Sequence, residues 1–404
     1  MARPTKSQVA GRRAVAIAVA VAATALVWLV FIRGGGGEGG GGGAAPAGEV
    51  PASVRDLVDE LSPEEKIDQV LLLGFEGTDA GAEIVAELRE RQLGAVLVTD
   101  RNWVDSSQLE ALVAELRAAA RSGGRIPPLI AAPQEGGPFR AFPDLPPSQR
   151  PLDVGDSGDP ELAEKSAREA GIALRGIGFD LDLFPVADVA TLDSPIADRA
   201  YSDDPAVAAA MTAAAIRGCR AAEIACAPSH FPGLGAASQS TEEGPATVSL
   251  DIAGLAARDL TPFETAFRAG APAVVLSHAF YAAFDAVTPA SLSSLVTHDL
   301  LRDDLGFEGV AITDDLGAGA IKARGAASEV GGKSPRGGSA VTAAAIAALQ
   351  AGADLLMISA PEDQAGVTDA LIEAVGTGDI SEDRLDEAVG RVLVLKQQLG
   401  LIER

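Results

Sequence analysis

The sequence predicts an α/β fold, a single (β/α)8 barrel of the TIM type behind an N-terminal transmembrane helix. Eight short apolar runs rich in valine, isoleucine and leucine recur at residues 70–75, 95–99, 129–132, 181–186, 224–227, 273–277, 309–313 and 354–359. Longer alanine-rich stretches of helical periodicity lie between them, among them 108–121, 161–176, 205–222 and 340–351. That alternation reads strand, helix, strand, helix. The runs have no regular polar alternation, as expected of a parallel sheet covered on both faces. No glycine fingerprint for a dinucleotide opens the first unit, so a closed barrel fits better than an open doubly wound sheet.

Residues 1–13 hold Arg3, Lys6, Arg12 and Arg13 and no acid, which makes them a basic cytoplasmic tail. Residues 14–32 are 19 positions without a charge or a proline. As a helix they span about 28 Å, close to the roughly 30 Å hydrocarbon core of a bilayer. An anchor of this polarity places the rest of the chain at the cell membrane, outside the cytoplasm. The competing reading is a cleaved signal, whose apolar part is usually about 7 to 15 residues long and ends at a small-x-small site. Ala44, Ala45 and Ala47 supply small residues, but eleven positions beyond the apolar run. Cleavage would make the protein secreted, so both readings export it. Residues 33–50 include nine glycines interrupted by Glu38, a composition that behaves as a flexible tether.

Residues 51–404 then form the barrel. A chain of 404 residues with 47% hydrophobic and 22% charged content can bury a large core, which excludes a disordered protein. The last helical stretch, 382–399, carries Leu385, Val389, Val392, Leu393 and Leu399 on one face and is expected to cover the barrel wall. Cys219 and Cys226 are too few for a disulfide scaffold. They either pair across a turn of the chain or stay as two buried thiols. His230, His278 and His298 are the only histidines, so no multi-histidine metal centre is expected. Of the 32 basic residues five precede Gly34, whereas all 57 acids follow it. The exported part would therefore repel nucleic acid and anionic lipid headgroups.

A barrel places its catalytic side chains on the loops that follow the strands. Those loops begin here with Gln134-Glu135-Gly136-Gly137, Asp188, His230-Phe231-Pro232-Gly233, His278 and Asp314-Asp315. Together with Phe184-Pro185-Val186, residues 196–205 around Arg199, Gly306 to Leu316 and Ala351 to Ile358, these stretches resemble the N-terminal barrel domain of glycoside hydrolase family 3. The likeness runs in the family's order over residues 53–400 and is nearest to the bacterial β-N-acetylhexosaminidases, which cut N-acetylglucosamine from cell-wall fragments.

The resemblance implies a retaining glycosidase with Asp314, in Thr313-Asp314-Asp315-Leu316, as nucleophile. A carboxylate there can attack the anomeric carbon and hold a glycosyl intermediate that water releases. The plain alternative is a helix cap, a role that suits Asp315 better. Those relatives carry the proton donor as an Asp-x-His pair on a mobile loop after strand five; in register, this chain has Ser240 and Glu242. Glu242 is thus the candidate general acid and Glu243 the second candidate, provided that burial raises the carboxyl toward neutrality. Either could instead be a solvated loop charge.

Arg199, His230, Arg140, Asp188 and His278 make up the expected substrate-binding set. Other family positions have changed: the aspartate before Gln134 is Pro133, the arginine after Gly137 is Pro138, and the lysine before His230 is Ser229. Proline has no side-chain donor or acceptor to rebuild those contacts. Two readings follow, a hydrolase with a rewired acid and an inactive relative that binds or scaffolds glycans at the envelope. The expected partner is a β-linked glycan, and acid/base glycoside hydrolysis requires no cofactor or metal. Lys322, Arg324, Lys333 and Arg336, in the Gly/Ser-rich stretch 322–338, suggest a basic lid or a disordered loop. His298 reads as a surface or capping residue.

Overall fold

The computed structural model describes residues 50–323 and 339–403. The expected tail, anchor and nearly all of the tether lie outside the described residues, as does the basic stretch beyond Ala323. Among the described residues no helix is long and apolar enough to cross a membrane.

Eight barrel strands fall inside the eight expected windows: β1 Leu71–Leu73, β2 Ala95–Leu97, β3 Leu129–Ala132, β4 Leu181–Asp182, β5 Ala225–Cys226, β6 Ala273–Leu276, β7 Val310–Thr313 and β8 Leu356–Ile358. The first five and β8 form one parallel ladder in the order β8-β1-β2-β3-β4-β5, and β6 pairs in parallel with β7. Two seams close the ring. Between β5 and β6, the Phe231 N–H donates to Val275 O at 2.8 Å and the Val275 N–H to Pro228 O at 2.9 Å. Between β7 and β8, the Thr313 N–H donates to Leu355 O at 2.9 Å. β4 is shorter than its window because Pro185 brings no donor to the ladder.

Strand periodicity sorts the apolar side chains into two cores. Leu72, Ala95, Leu129, Ala131, Leu181 and Ile312 point into the barrel. Their neighbours Leu71, Leu73, Val96, Ile130 and Ala132 point out, toward the helices. Helix Glu382–Gln398 departs from expectation in part. Its Val392 and Leu395 join the inner core, while its Lys396 donates to Leu93 O just before β2. The helix therefore closes the N-terminal end of the barrel with Val392 and Leu395, while its Leu385, Val389 and Leu393 pack in the outer core as expected. Asp354, just before β8 at that same end, accepts from Arg302 at 2.7 Å, Arg384 at 2.8 Å and Arg391 at 3.2 Å.

The choice left open for the cysteines resolves as a disulfide. Helix Pro205–Ala221 ends, Glu223 takes φ of 58°, and β5 runs back, which brings Cys219 and Cys226 to a Cα separation of 6.2 Å. Thr247–Val248 and Phe280–Tyr281 form a further parallel pair outside the ring. Two residues each are too short to leave a periodicity signal.

Candidate active site

At the C-terminal ends of the strands the loops enclose a pocket of about 180 Å³. It lies below the roughly 300 to 1,000 Å³ of sites for drug-sized ligands and suits one small ring. Leu97, Leu183, Val275 and Met357 form its apolar base, and every polar wall residue comes from a strand-end loop. Larger hollows lie elsewhere among the described residues, two of them between or beneath helices. One separates helices Ala340–Ala351 and Pro361–Thr377, and the other faces the opposite end of the barrel beside Leu395 and Leu399.

Asp314 follows β7 and is buried, its backbone N–H held by Leu276 O at 3.0 Å. Its Oδ1 accepts the N–H of Asp315 at 2.9 Å. Asp315 in turn accepts from the N–H groups of Gly317 at 3.0 Å and Ser359 at 3.1 Å, and from the Ser359 hydroxyl. It combines the turn-capping role with a carboxylate on the pocket wall.

Glu242 lines the same pocket as Asp314, whereas Glu243 does not. Burial of the carboxyl, and then the negative charges of Asp314 and Asp315, raise the Glu242 pKa from 4.5 to about 7; His230 and Arg199 pull more weakly the other way. A group so placed can carry a proton at neutral pH and give it up.

His230 and Asp188 form one unit. The ring Nδ1 lies 2.7 Å from Asp188 Oδ2, and Asp188 Oδ1 accepts the N–H groups of His230 and Leu234. Asp188 is fully buried behind the ring and outside the pocket lining. Burial pulls the imidazole pKa down, but the charge and hydrogen bond of Asp188 outweigh it, and the net shift is upward. The Nδ1 contact leaves Nε2 as the ring's second polar atom, on the residue that lines the pocket.

Arg199 grips Glu135 with two parallel hydrogen bonds, Nε to Oε2 at 2.8 Å and Nη2 to Oε1 at 2.6 Å. Burial works against the guanidinium charge, yet Glu135, Asp314 and Asp188 hold it above its ordinary pKa. Glu135 was visible in the sequence motif but had no role there. A buried carboxylate needs a cation, and Arg199 was the basic residue placed on the same barrel face. Asp182, at the end of β4, also escaped notice. Full burial raises its pKa to about 7, although it accepts the Gln134 N–H at 2.9 Å.

Besides Glu243 and Asp188, two further expected site residues lie outside the pocket lining. Arg140 donates to Gly137 O at 2.7 Å and Leu145 O at 3.1 Å, tying its own loop together. His278 has both ring nitrogens engaged, with Ser291 Oγ at 2.7 Å and Asp315 O at 2.9 Å. Neither lines the pocket. Pro133 and Ser229, which replace an aspartate and a lysine of the resembled family, both do.

The family described as "Glycosyl hydrolase family 3 N terminal domain" matches residues 62–395. A β-hexosaminidase of Stenotrophomonas maltophilia is 34% identical over 345 residues, 83% of this chain and 91% of the relative. Among solved structures, a glycoside hydrolase family 3 β-N-acetylglucosaminidase from Paenibacillus superposes with TM-score 0.75 at 32% identity, covering 84% of this chain and 63% of that one. A β-N-acetylhexosaminidase from Beutenbergia cavernae gives TM-score 0.71 at 28% identity and is covered over 99% of its length.

Proposed function

The chain belongs to glycosyl hydrolase family 3, whose members hydrolyse O-glycosyl bonds, and from that premise we propose that it is a retaining β-N-acetylhexosaminidase of the cell envelope. The observation that carries the reading is the pairing of Asp314 with Glu242 in one pocket, with the Glu242 carboxyl raised to about 7.

Asp314 attacks the anomeric carbon as the bond to the leaving oxygen breaks, and Glu242 gives that oxygen its proton. Glu242, now a carboxylate, takes a proton from water. The hydroxide attacks the same carbon, and the bond to Asp314 breaks with its electrons returning to the carboxylate. His230 and Arg199 hold ring substituents: Asp188 orients the first, and Glu135 fixes the second. The named relatives favour a β-linked N-acetylhexosamine as the ring that is held; cell-wall glycan as its source follows from the sequence resemblance alone. Residues 14–32 support envelope attachment by an uncleaved helix.

One observation favours a second reading, an inactive glycan-binding relative. Pro133 and Ser229 line the pocket where an aspartate and a lysine are expected, which removes a carboxylate and an ammonium from the set that would meet sugar hydroxyls.

The deciding measurement is release of 2,4-dinitrophenol from its β-N-acetylglucosaminide and its β-glucoside, beside Asp314→Ala. Such a leaving group needs little acid assistance, so Asp314-dependent release from the first compound is the expected result. No release above the Asp314→Ala variant from either compound overturns hydrolysis in favour of the inactive relative.

A further inference from the structure

The loop that carries Glu242 is a hairpin clipped in three places. At its base Ala237 and Val248 form an antiparallel bridge, and the Ser238 N–H donates to Thr247 O at 3.1 Å. Its returning edge, Thr247–Val248, lies parallel to Phe280–Tyr281 from the loop after β6. At its tip Glu242 O accepts the Gly319 N–H at 3.0 Å, and Thr241 O accepts the Ala320 N–H at 2.9 Å. Gly319 and Ala320 open the helical turn that follows the nucleophile strand. The first N–H groups of a helix have no partner within it. Here the hairpin's carbonyls supply two.

Gly319 sits on a helical backbone without a positive φ, so a methyl group would be conformationally harmless there. Space is what forbids it. A Cβ would meet Glu242 O at 2.6 Å and the Glu243 carbonyl carbon and oxygen at 2.7 Å, all of them backbone atoms that no side-chain rotation can move. The same short segment holds Asp314, and Asp315 pins it through Gly317 and Ser359. The hairpin tip is thus registered against the nucleophile through five residues of chain.

We propose that Gly319, with the backbone N–H groups of Gly319 and Ala320, is a positioning latch that holds the Glu242 carboxyl over Asp314. The latch acts through Glu242 and rests on the reading of that residue as the acid. The small residue lets the hairpin approach, and the two donors hold it.

The test is Gly319→Ala in the full chain, assayed with the 2,4-dinitrophenyl β-N-acetylglucosaminide and with the N-acetylglucosamine disaccharide. Displacing the acid should lower kcat/KM on the disaccharide at least about tenfold, within the roughly 10²- to 10⁴-fold range of general-acid effects. Dinitrophenol release should stay within about threefold, and the alkaline limb of the pH profile should move down. In a Glu242→Gln background, Gly319→Ala should have no further effect, because a residue acting only through Glu242 shows complete coupling to it. Equal losses on both substrates, or a further tenfold loss beside Glu242→Gln, would overturn the latch.

Hydrogen exchange on the wild-type chain reads the contact without catalysis and without a variant. The Gly319 and Ala320 amides should exchange about 100-fold or more slower than free loop amides, and unprotected rates would refute the latch. Absence of dinitrophenol release from the wild type would instead strike the hydrolase reading and leave the exchange result to decide the contact.

Discussion

Turnover of substrates with poor leaving groups should be limited at high pH by a single proton, that of Glu242. A general acid works in its protonated form, so kcat/KM is full below the acid's pKa and lost as pH rises through it. With the carboxyl at about 7, the protonated fraction is about 0.9 at pH 6, about 0.1 at pH 8 and about 0.01 at pH 9, approaching a tenfold loss per unit only above about pH 8. A glutamate left at 4.5 would be only about 0.003 protonated at pH 7, so the shift is worth about 150-fold in available acid at that pH. The assay is kcat/KM from about pH 5 to 9 on the N-acetylglucosamine disaccharide, whose sugar leaving group needs a proton, for the wild type and for Glu242→Gln. The variant should lose about 10²- to 10⁴-fold at pH 6 and lose the alkaline limb with it. A limb near pH 7 that survives in Glu242→Gln would refute the assignment, because some other group would then carry the proton.

Asp188→Asn should lower the His230 pKa, followed by the ring-proton shifts in NMR. The wild-type pKa is raised, so the stability it provides is full below the ordinary value near 6.5 and fades as pH rises through the folded value; the gap in Tm between the two proteins should be wider at about pH 5.5 than at 8.5. Asp354→Asn should cost about 3 to 5 kcal/mol in denaturant unfolding, because it leaves three arginines around a neutral amide. Its activity per folded molecule should be unchanged. Burial works against the Asp354 carboxylate, but Arg302, Arg384 and Arg391 hold its pKa below the ordinary value, so its contribution is present above about pH 4 and lost as pH falls through the folded value. Replacing Cys219 and Cys226 by serine opens a loop with a sequence separation of 7 and should cost about 2.5 kcal/mol, or about 3 °C in Tm by calorimetry.

The order of the fold was legible because buried parallel strands leave a strong local mark: runs such as Leu71-Leu72-Leu73 and Ala273-Val274-Val275-Leu276 admit few other readings. What sequence could not supply was the direction of single side chains. Arg140 stands one residue past a tight helical turn, Gly137–Phe139, and folds back on the carbonyls that the turn exposes. His278 meets Ser291 thirteen positions on, through a loop with no periodic pattern. Glu242 depends on a contact with Gly319 that spans another strand, so its local sequence cannot separate a solvated charge from an acid. Glu135 and Arg199 were within reach: neither charge is tolerable alone in a buried strand-end loop.

One carboxyl takes the place of a two-residue proton donor in the proposed reaction, and the surrounding charges account for how one can suffice. In the proposed reaction, ionised Asp314 helps hold Glu242 protonated until attack occurs. The ester then formed removes that charge, so Glu242 becomes a stronger acid at that moment and afterwards a carboxylate able to accept a proton from water. Asp315 separates this electrostatic role from nucleophilic chemistry. It faces Glu242 with a charge of the same sign, yet its oxygens are held by Gly317 and Ser359. Asp315→Asn preserves an oxygen for both backbone donors and removes the charge, and its new amide N–H can donate to the Ser359 hydroxyl where the carboxylate accepted from it. The alkaline limb on the N-acetylglucosamine disaccharide should then move below pH 7, while dinitrophenol release at about pH 5 stays near wild type. A limb that does not move would assign the raised pKa to burial and Asp314 alone, and the idea of a second carboxylate supporting the acid would fall.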